Sequence, residues 1–483
     1  MNTPLRRLAT VVLVMFVGLM ASATWVQYFQ ADRLNNDSRN VRTLYREFGN
    51  ARGPIVVAGD AIALSTKVED SYGYQRSYTN GELYSAMTGF YSVVNGRTEL
   101  ERAANEELTG RGDQLFFSRI RDLLTGRQPE GAAVETTINP AAQQAAFDGL
   151  AGQQGAVVAL EPSTGKILAL VSTPGFDPNA LASHDIAAAG AAYQALSSAP
   201  GNPLRSNATQ ETYPPGSTFK LVTATAALES GQYTPESTLP APERLTLPQT
   251  TATIGNFGGG GCGADPITLA DALRISCNTA FGQLGLNVGA DALRAQAERF
   301  GFNDPDLTIP MKVVESVFPA EMDLPVTAQS AIGQRDVRAT PLQMAMVSAA
   351  IANGGQLMTP YTVQTVRSAD LHRVSETEPT LYSTAMSPGT AAAMRDMMVG
   401  VVESGSGVAA QIPGVQVAGK TGTAQTAEGQ APHAWFTAFA PADAPRVAVA
   451  VIVEHGGNAG NEATGGRVAA PIAKAVIEAV LGS

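Results

Sequence analysis

Tyr213-Pro214-Pro215-Gly216-Ser217-Thr218-Phe219-Lys220 decides how this chain is read. Two prolines and a glycine end one segment. An apolar, alanine-rich run from Leu221 to Leu228 follows and stops at Gly231. The pattern predicts a loop that delivers a serine onto the first turn of a helix. Ser217 and Lys220 stand three apart, so a helix presents both on one face. A serine hydroxyl is a weak nucleophile until a base takes its proton, and a lysine among apolar neighbours loses charge readily enough to be that base. The helix N-terminus adds free N–H groups and a positive dipole end for a developing oxyanion. Alone, Ser-x-x-Lys is a weak signal, because a capping serine followed by a surface lysine gives the same pattern.

Two further stretches strengthen it. Ser276-Cys277-Asn278 lies downstream, and Lys420-Thr421-Gly422-Thr423 lies far beyond. Ser-x-x-Lys, Ser-x-Asn and Lys-Thr-Gly in this order resemble the signature of penicillin-binding proteins and serine β-lactamases. Arg52-Gly53-Pro54-Ile55 resembles the start of the non-catalytic domain of class B penicillin-binding proteins. The stretch from Gly155 to Ala169 is similar to the opening strand pair of their transpeptidase domain. Ile332-Gly333-Gln334 and Thr340-Pro341-Leu342-Gln343-Met344-Ala345 resemble a later family stretch. Within the class, the nearest resemblance is to the actinobacterial penicillin-binding protein A group. It covers nearly the whole chain and is weakest between about residues 60 and 140.

The resemblance implies roles. Ser217 is the nucleophile, attacking the carbonyl between the terminal D-alanines of a peptidoglycan stem peptide, and β-lactams acylate it. Lys220 is the general base, Ser276 relays protons, and Asn278 hydrogen-bonds the substrate amide. Lys420 supplies positive charge from a strand edge, and Thr421 and Thr423 hold the terminal carboxylate. The N–H groups of Ser217 and Thr423 form the oxyanion hole. Gly422 lets the strand approach the substrate. Two positions depart from the pattern: Cys277 stands where Ser-Asp-Asn has aspartate, and Gln334-Arg335 stands where many relatives have Gln-Gly. The Glu-x-x-Leu-Asn stretch of class A β-lactamases is absent. A cross-linking transpeptidase is therefore the leading reading. A D,D-carboxypeptidase and a non-catalytic β-lactam-binding scaffold or sensor are the alternatives.

Composition is consistent with this. The chain has 483 residues, 44% hydrophobic and 16% charged, and a net charge of −11. That fits a folded protein of two or three domains and argues against a nucleic-acid binder, which needs a basic face. His184, His372, His433 and His455 are scattered, so each reads as structural and no metal site is expected. No phosphate-binding loop or other cofactor motif stands out; the glycine run Gly258 to Gly261 leads into a cysteine, not a helix.

Leu8 to Val26 carries no charge. As a helix it would span about 28 Å, close to a bilayer core. Arg6 and Arg7 precede it, and Trp25, Tyr28 and Phe29 follow. An uncleaved, single-pass anchor with the catalytic domain outside the cytoplasm is the favoured reading. A signal peptide cleaved near Ala21-Ser22-Ala23 is the alternative.

Three regions are expected: a stub and anchor over 1–30, a small α+β pedestal over 31–137, and a transpeptidase domain over 138–483. In the pedestal, Asp32 to Arg46 suggests a helix or stalk. Ile55 to Leu64 is β-like around Gly59-Asp60, and Leu100 to Leu108 and Phe116 to Leu124 suggest short helices. The resemblance implies that the pedestal binds a membrane glycan polymerase. The catalytic domain shows strands near both ends, including Val415 to Ala418, Ala434 to Ala440 and Arg446 to Glu454, with helices between. The expected fold class is α+β, one antiparallel sheet between helices. Cys262 and Cys277 are the only cysteines. Outside the cytoplasm an even count favours pairing, so a disulfide bracing the Ser-x-Asn loop is expected, with two buried free thiols as the alternative.

Overall fold

The structure, a computed structural model, describes residues 3–30, 45, 47–112, 130–425 and 429–482. All but Tyr45 of the expected stalk Asp32 to Arg46, and the whole expected helix Phe116 to Leu124, lie outside them. The N-terminal helix α1 (Thr3–Thr24) runs on through a π turn at Trp25–Phe29. Its 27 residues are long and apolar enough to cross a membrane, and none is buried against the rest of the chain.

β1 (Ile55–Val57) and β2 (Asp60–Lys67) form a tight antiparallel hairpin, β3 (Tyr74–Tyr78) pairs with β2, and β4 (Ala133–Thr136) runs parallel to β1. Arg52, just before β1, is structural. It donates from Nε to Glu101 Oε2 at 2.5 Å, and Arg76 on β3 donates to Glu101 Oε1 at 2.7 Å. All three side chains are buried, so each charge needs the others. Leu100 to Leu108 forms two short helices rather than one, Glu99–Ala103 and Asn105–Leu108. The sequence did not suggest how the sheet ends: strands Val363–Arg367 and Arg373–Glu376, from far later in the chain, complete it beyond β4.

The second sheet has β5 (Gly155–Leu160), β6 (Ile167–Thr173), β7 (Ala418–Ala424), β8 (His433–Ala440) and β9 (Val447–Val453) in the order β7-β8-β9-β5-β6, all antiparallel. Every residue of β5, β8 and β9 is buried, which explains their nearly unbroken apolar sequences. The two faces still separate with period two. Ala156, Val158, Ala448, Ala450 and Ile452 enter one core, and Val157, Ala159, Val449 and Val451 enter the other.

Helices cover both faces. α2 (Pro140–Gly149) and the C-terminal α7 (Ala470–Gly482) lie on one side. On the other lie α3 (Lys220–Glu229), α4 (Asn278–Val288), α5 (Pro341–Ala352) and α6 (Pro388–Ser404). The starts of three are legible in sequence. Asn139, Thr340 and Ser387 each cap a helix whose next residue is proline, their side chains accepting from Ala142, Gln143 and Thr390 N–H groups. The family-like stretch Thr340 to Ala345 is thus a capped helix start, and α5 behind it is almost wholly buried.

Candidate active site

The loop carrying Ser217 is pinned from three directions. Tyr213 exchanges backbone hydrogen bonds with Ala339 at 3.0 and 2.9 Å. Trp435 Nε1 on β8 donates to Pro214 O at 3.0 Å, and Gly216 N donates to Gly333 O at 2.9 Å. Ser217 stands on a 3-10 turn, Gly216–Phe219, that runs directly into α3, rather than on the first α turn itself. Gly216 has φ +53°, and a Cβ there would meet Thr423 O at 2.8 Å, so only glycine fits between Gly333 and β7. Ser217 is half-buried, while Lys220 is fully buried with Nζ 5.5 Å from the Phe281 ring centre.

Ser276-Cys277-Asn278 is a helix stop joined to a helix start. Helix Leu269–Arg274 ends with Ser276 in the left-handed conformation, φ +64°. Ser276 N donates to Leu273 O at 3.2 Å and Cys277 N to Ala272 O at 2.8 Å, the paired bonds of a Schellman motif. Cys277 then caps α4, and Asn278 is its first residue. The unusual backbone at Ser276 turns both its oxygens toward the lysines. Lys220 Nζ donates to Ser276 O at 2.7 Å, to Asn278 Oδ1 at 2.7 Å and, more weakly, to Ser276 Oγ at 3.3 Å. Cys277 points into the core and is joined to Cys262, with Cα atoms 5.8 Å apart.

Lys420-Thr421-Gly422-Thr423 lies on β7, an edge strand of the five-stranded sheet. Lys420 Nζ donates to Ser276 Oγ at 2.8 Å and to Thr421 O at 2.9 Å. It is fully buried. Thr421 and Ser406 hydroxyls are 2.6 Å apart. Gly422 has a packing reason beyond substrate approach: a Cβ would sit 2.9 Å from both Thr218 Cγ2 and Trp435 Cβ. Glycine there lets β7 lie flush on the turn that carries Ser217.

A penicillin binding protein transpeptidase domain model matches residues 155–478, and a penicillin binding protein A dimerisation domain model matches residues 52–134. The chain belongs to the penicillin-binding protein transpeptidase family. Among its relatives, the peptidoglycan D,D-transpeptidase PbpA of Mycolicibacterium smegmatis is 47% identical over 490 residues, covering 100% of this chain and 99% of that protein. The Mycobacterium tuberculosis protein of that name is 46% identical over 492 residues, with the same coverage. Among solved structures, the ceftriaxone acyl-enzyme of M. tuberculosis penicillin-binding protein A matches with TM-score 0.87 and 46% identity, over 90% of this chain and 100% of that one. Its penicillin G acyl-enzyme matches with TM-score 0.85 and 46% identity, over 89% and 100%.

In this penicillin-binding protein, Ser217, Ser276, Asn278, Thr421 and Thr423 line one cleft of about 640 Å³. Lys220 and Lys420 stand behind its wall. Burial, and then the charge of Lys420, push the Lys220 amine well below its ordinary value. Burial pushes Lys420 down to about 7. Two ammonium groups sharing one hydroxyl resist joint ionisation, and of the two it is Lys220 that the charge of its neighbour drives toward the neutral amine. A neutral Lys220 keeps its two N–H groups on Ser276 O and Asn278 Oδ1 and has a lone pair left for a serine proton.

Sequence reasoning missed several contributors. Asn256 Oδ1 accepts from the N–H groups of Asn278 and Thr279, at 2.9 and 3.3 Å, capping α4 from a separate loop. Gly255 O accepts from Asn278 Nδ2 at 3.0 Å. With Oδ1 on Lys220, the Asn278 amide positions the lysine as well as facing the cleft. A lone asparagine some twenty residues upstream carries no motif, so no sequence signal marks it. The structure also gathers two scattered histidines: His433, Glu454 and His455 place their nitrogen and carboxylate atoms within 4.8 Å of one another. The side chains of His433 and Glu454 have protein partners. His433 Nδ1 accepts from His455 N at 3.1 Å, and Glu454 accepts from Tyr213 Oη at 2.8 Å and Gln154 Nε2 at 3.1 Å. The cluster braces Tyr213, where the Ser217 loop begins.

Proposed function

We propose that this chain is a membrane-anchored peptidoglycan D,D-transpeptidase working through an acyl-enzyme on Ser217. One observation carries the reading: a buried amine three residues from Ser217 is held by Ser276 and Asn278, with a second buried amine on the far side of the same Ser276 hydroxyl. Ser217 Oγ attacks the carbonyl between the terminal D-alanines as Lys220 takes its proton. The N–H groups of Ser217 and Thr423 receive the oxyanion. The C–N bond breaks, and the proton reaches the leaving D-alanine amine through Ser276. An acceptor amine then attacks the ester carbonyl, the bond to Ser217 Oγ breaks, and a proton from the amine restores the Ser217 hydroxyl. Thr421 and Thr423 hold the terminal carboxylate, beside the charge of Lys420, and Asn278 offers its remaining N–H to the substrate amide. A β-lactam acylates Ser217 by the same first step. The relative's ceftriaxone and penicillin G acyl-enzymes support this reading.

The regions are taken as 1–30, 31–137 and 138–483, with strands 363–367 and 373–376 lent to the pedestal sheet. Arg6 and Arg7 stay inside, Trp25, Tyr28 and Phe29 mark the outer interface, and the cleft lies outside the cytoplasm. The pedestal docks a membrane glycan polymerase. Leu64→Asp with Val94→Asp, at exposed apolar pedestal positions, should abolish co-purification of that polymerase while penicillin labelling survives; undiminished co-purification moves the docking site elsewhere.

The test of function supplies a donor peptide ending in D-Ala-D-Ala together with an amine-bearing acceptor peptide. Mass spectrometry should find the cross-linked product with the native chain and none with Ser217→Ala. Release of D-alanine with water as sole acceptor would make the enzyme a carboxypeptidase.

A further inference from the structure

Among the described residues that line the cleft, Arg335 is the one with a charged side chain. Lys220 and Lys420 are buried behind the wall, so among the described residues the solvent-facing charge of the cleft is this guanidinium. Arg335 is exposed, and its guanidinium has no ion pair or hydrogen bond to the described residues. Its backbone is unusual: φ is +60°, in the left-handed region that favours glycine. Arg338 Nη1 holds that turn, donating to Arg335 O at 2.7 Å and Val337 O at 3.0 Å. Glycine would sit at this position without strain, yet the chain places there its longest cationic side chain, on a wall whose other described lining residues carry no charge. A backbone outlier at a cleft points to function.

We propose that Arg335 is a specificity-determining residue that takes a peptide carboxylate other than the terminal one. This rests on the transpeptidase reading, in which Thr421 and Thr423 on β7 already hold the terminal carboxylate. Arg335 reaches the cleft from a different segment, two residues beyond Gly333, which packs on the Ser217 loop. A guanidinium fork suits a carboxylate, bonding both oxygens at once. The carboxylate belongs either to the donor stem or to the acceptor stem.

The experiment uses the full chain in detergent with Arg335→Gly and Arg335→Lys. Glycine suits the backbone, so the fold is retained. In the donor arm, peptides ending in D-Ala-D-Ala carry a free carboxylate or its carboxamide on the residue before, and kcat/KM for acyl-enzyme formation is measured. In the acceptor arm, amines with a carboxylate or a carboxamide compete for the acyl-enzyme. One arm should show about tenfold preference for the carboxylate, shrinking with added salt, partly kept by Arg335→Lys and near unity in Arg335→Gly. The arm that responds names the source. Peptide turnover without preference in either arm, or a preference that survives Arg335→Gly, overturns the inference alone. Penicillin labelling of Ser217 with no turnover of any peptide overturns the transpeptidase reading and this inference with it.

Discussion

Ser276 offers one hydroxyl to two buried amines, and the consequence is measurable. In the proposed mechanism Lys220 is the base and works only when neutral, so acylation should rise with pH through its folded pKa. The charge of Lys420 helps to hold that pKa low. Lys420→Ala removes the charge, so the Lys220 pKa rises and the ascending limb of the pH profile moves to higher pH. The same substitution should lower the second-order penicillin acylation constant by roughly 100-fold with the fold intact. An acylation constant within about twofold of native, or a limb that stays in place, contradicts the coupling of the two amines. At this scale the sequence was informative where chemistry comes in triplets. Ser217, Lys220, Ser276, Asn278 and Lys420 are marked by three triplets that resemble the family's signature, and the structure joins Lys220, Ser276, Asn278 and Lys420 in one hydrogen-bonded cluster. Asn256 and Ser406 were illegible, because each acts through a fold contact with no residue pattern of its own. Arg335 was visible only as a departure from Gln-Gly; that it is the charged group among the described residues of the cleft needed the fold.

Elements position these residues by fitting closely against one another. Gly333 has φ +72°, and a Cβ there would lie 2.2 Å from Gly216 O, beside the nucleophile. Gly354 has a similar φ of +64° with open space around it. Alanine at either position should cost about 1–2 kcal/mol for the backbone. Gly333→Ala alone should also slow penicillin acylation at least tenfold, because it displaces the Ser217 loop. Equal acylation by the two variants contradicts the packing argument. The disulfide acts on the neighbouring wall. Closing a loop of 15 residues is worth up to ~3 kcal/mol on the chain-entropy model. Cys262→Ser with Cys277→Ser should therefore lower the Tm and slow acylation, still at Ser217; an unchanged Tm counts against the brace. The sequence placed most elements near their observed bounds but set the first of the three late strands at Val415 to Ala418. The strand is Ala418–Ala424. Gly-Lys-Thr-Gly has little β preference of its own, and residue-by-residue pairing with β8 imposes the extended form.

At the scale of the molecule, the pedestal and catalytic regions share more than a boundary. β4 lies between β1 and strand Val363–Arg367, and one core runs from Ile55 and Val134 to Ala156 and Phe219. Calorimetry of the chain should therefore show one cooperative unfolding transition, and two well-separated transitions would contradict it. Reading along the sequence suggested successive regions because local composition changes near residue 137. It is blind to a pairing between segments more than two hundred residues apart, which only the fold reveals. The central claim, that Ser217 is the nucleophile of a penicillin-reactive serine, is tested most directly by labelled penicillin and peptide mass spectrometry. The account predicts one adduct, on the peptide carrying Ser217, and none in Ser217→Ala. Equal labelling of both proteins, or of neither, would contradict it.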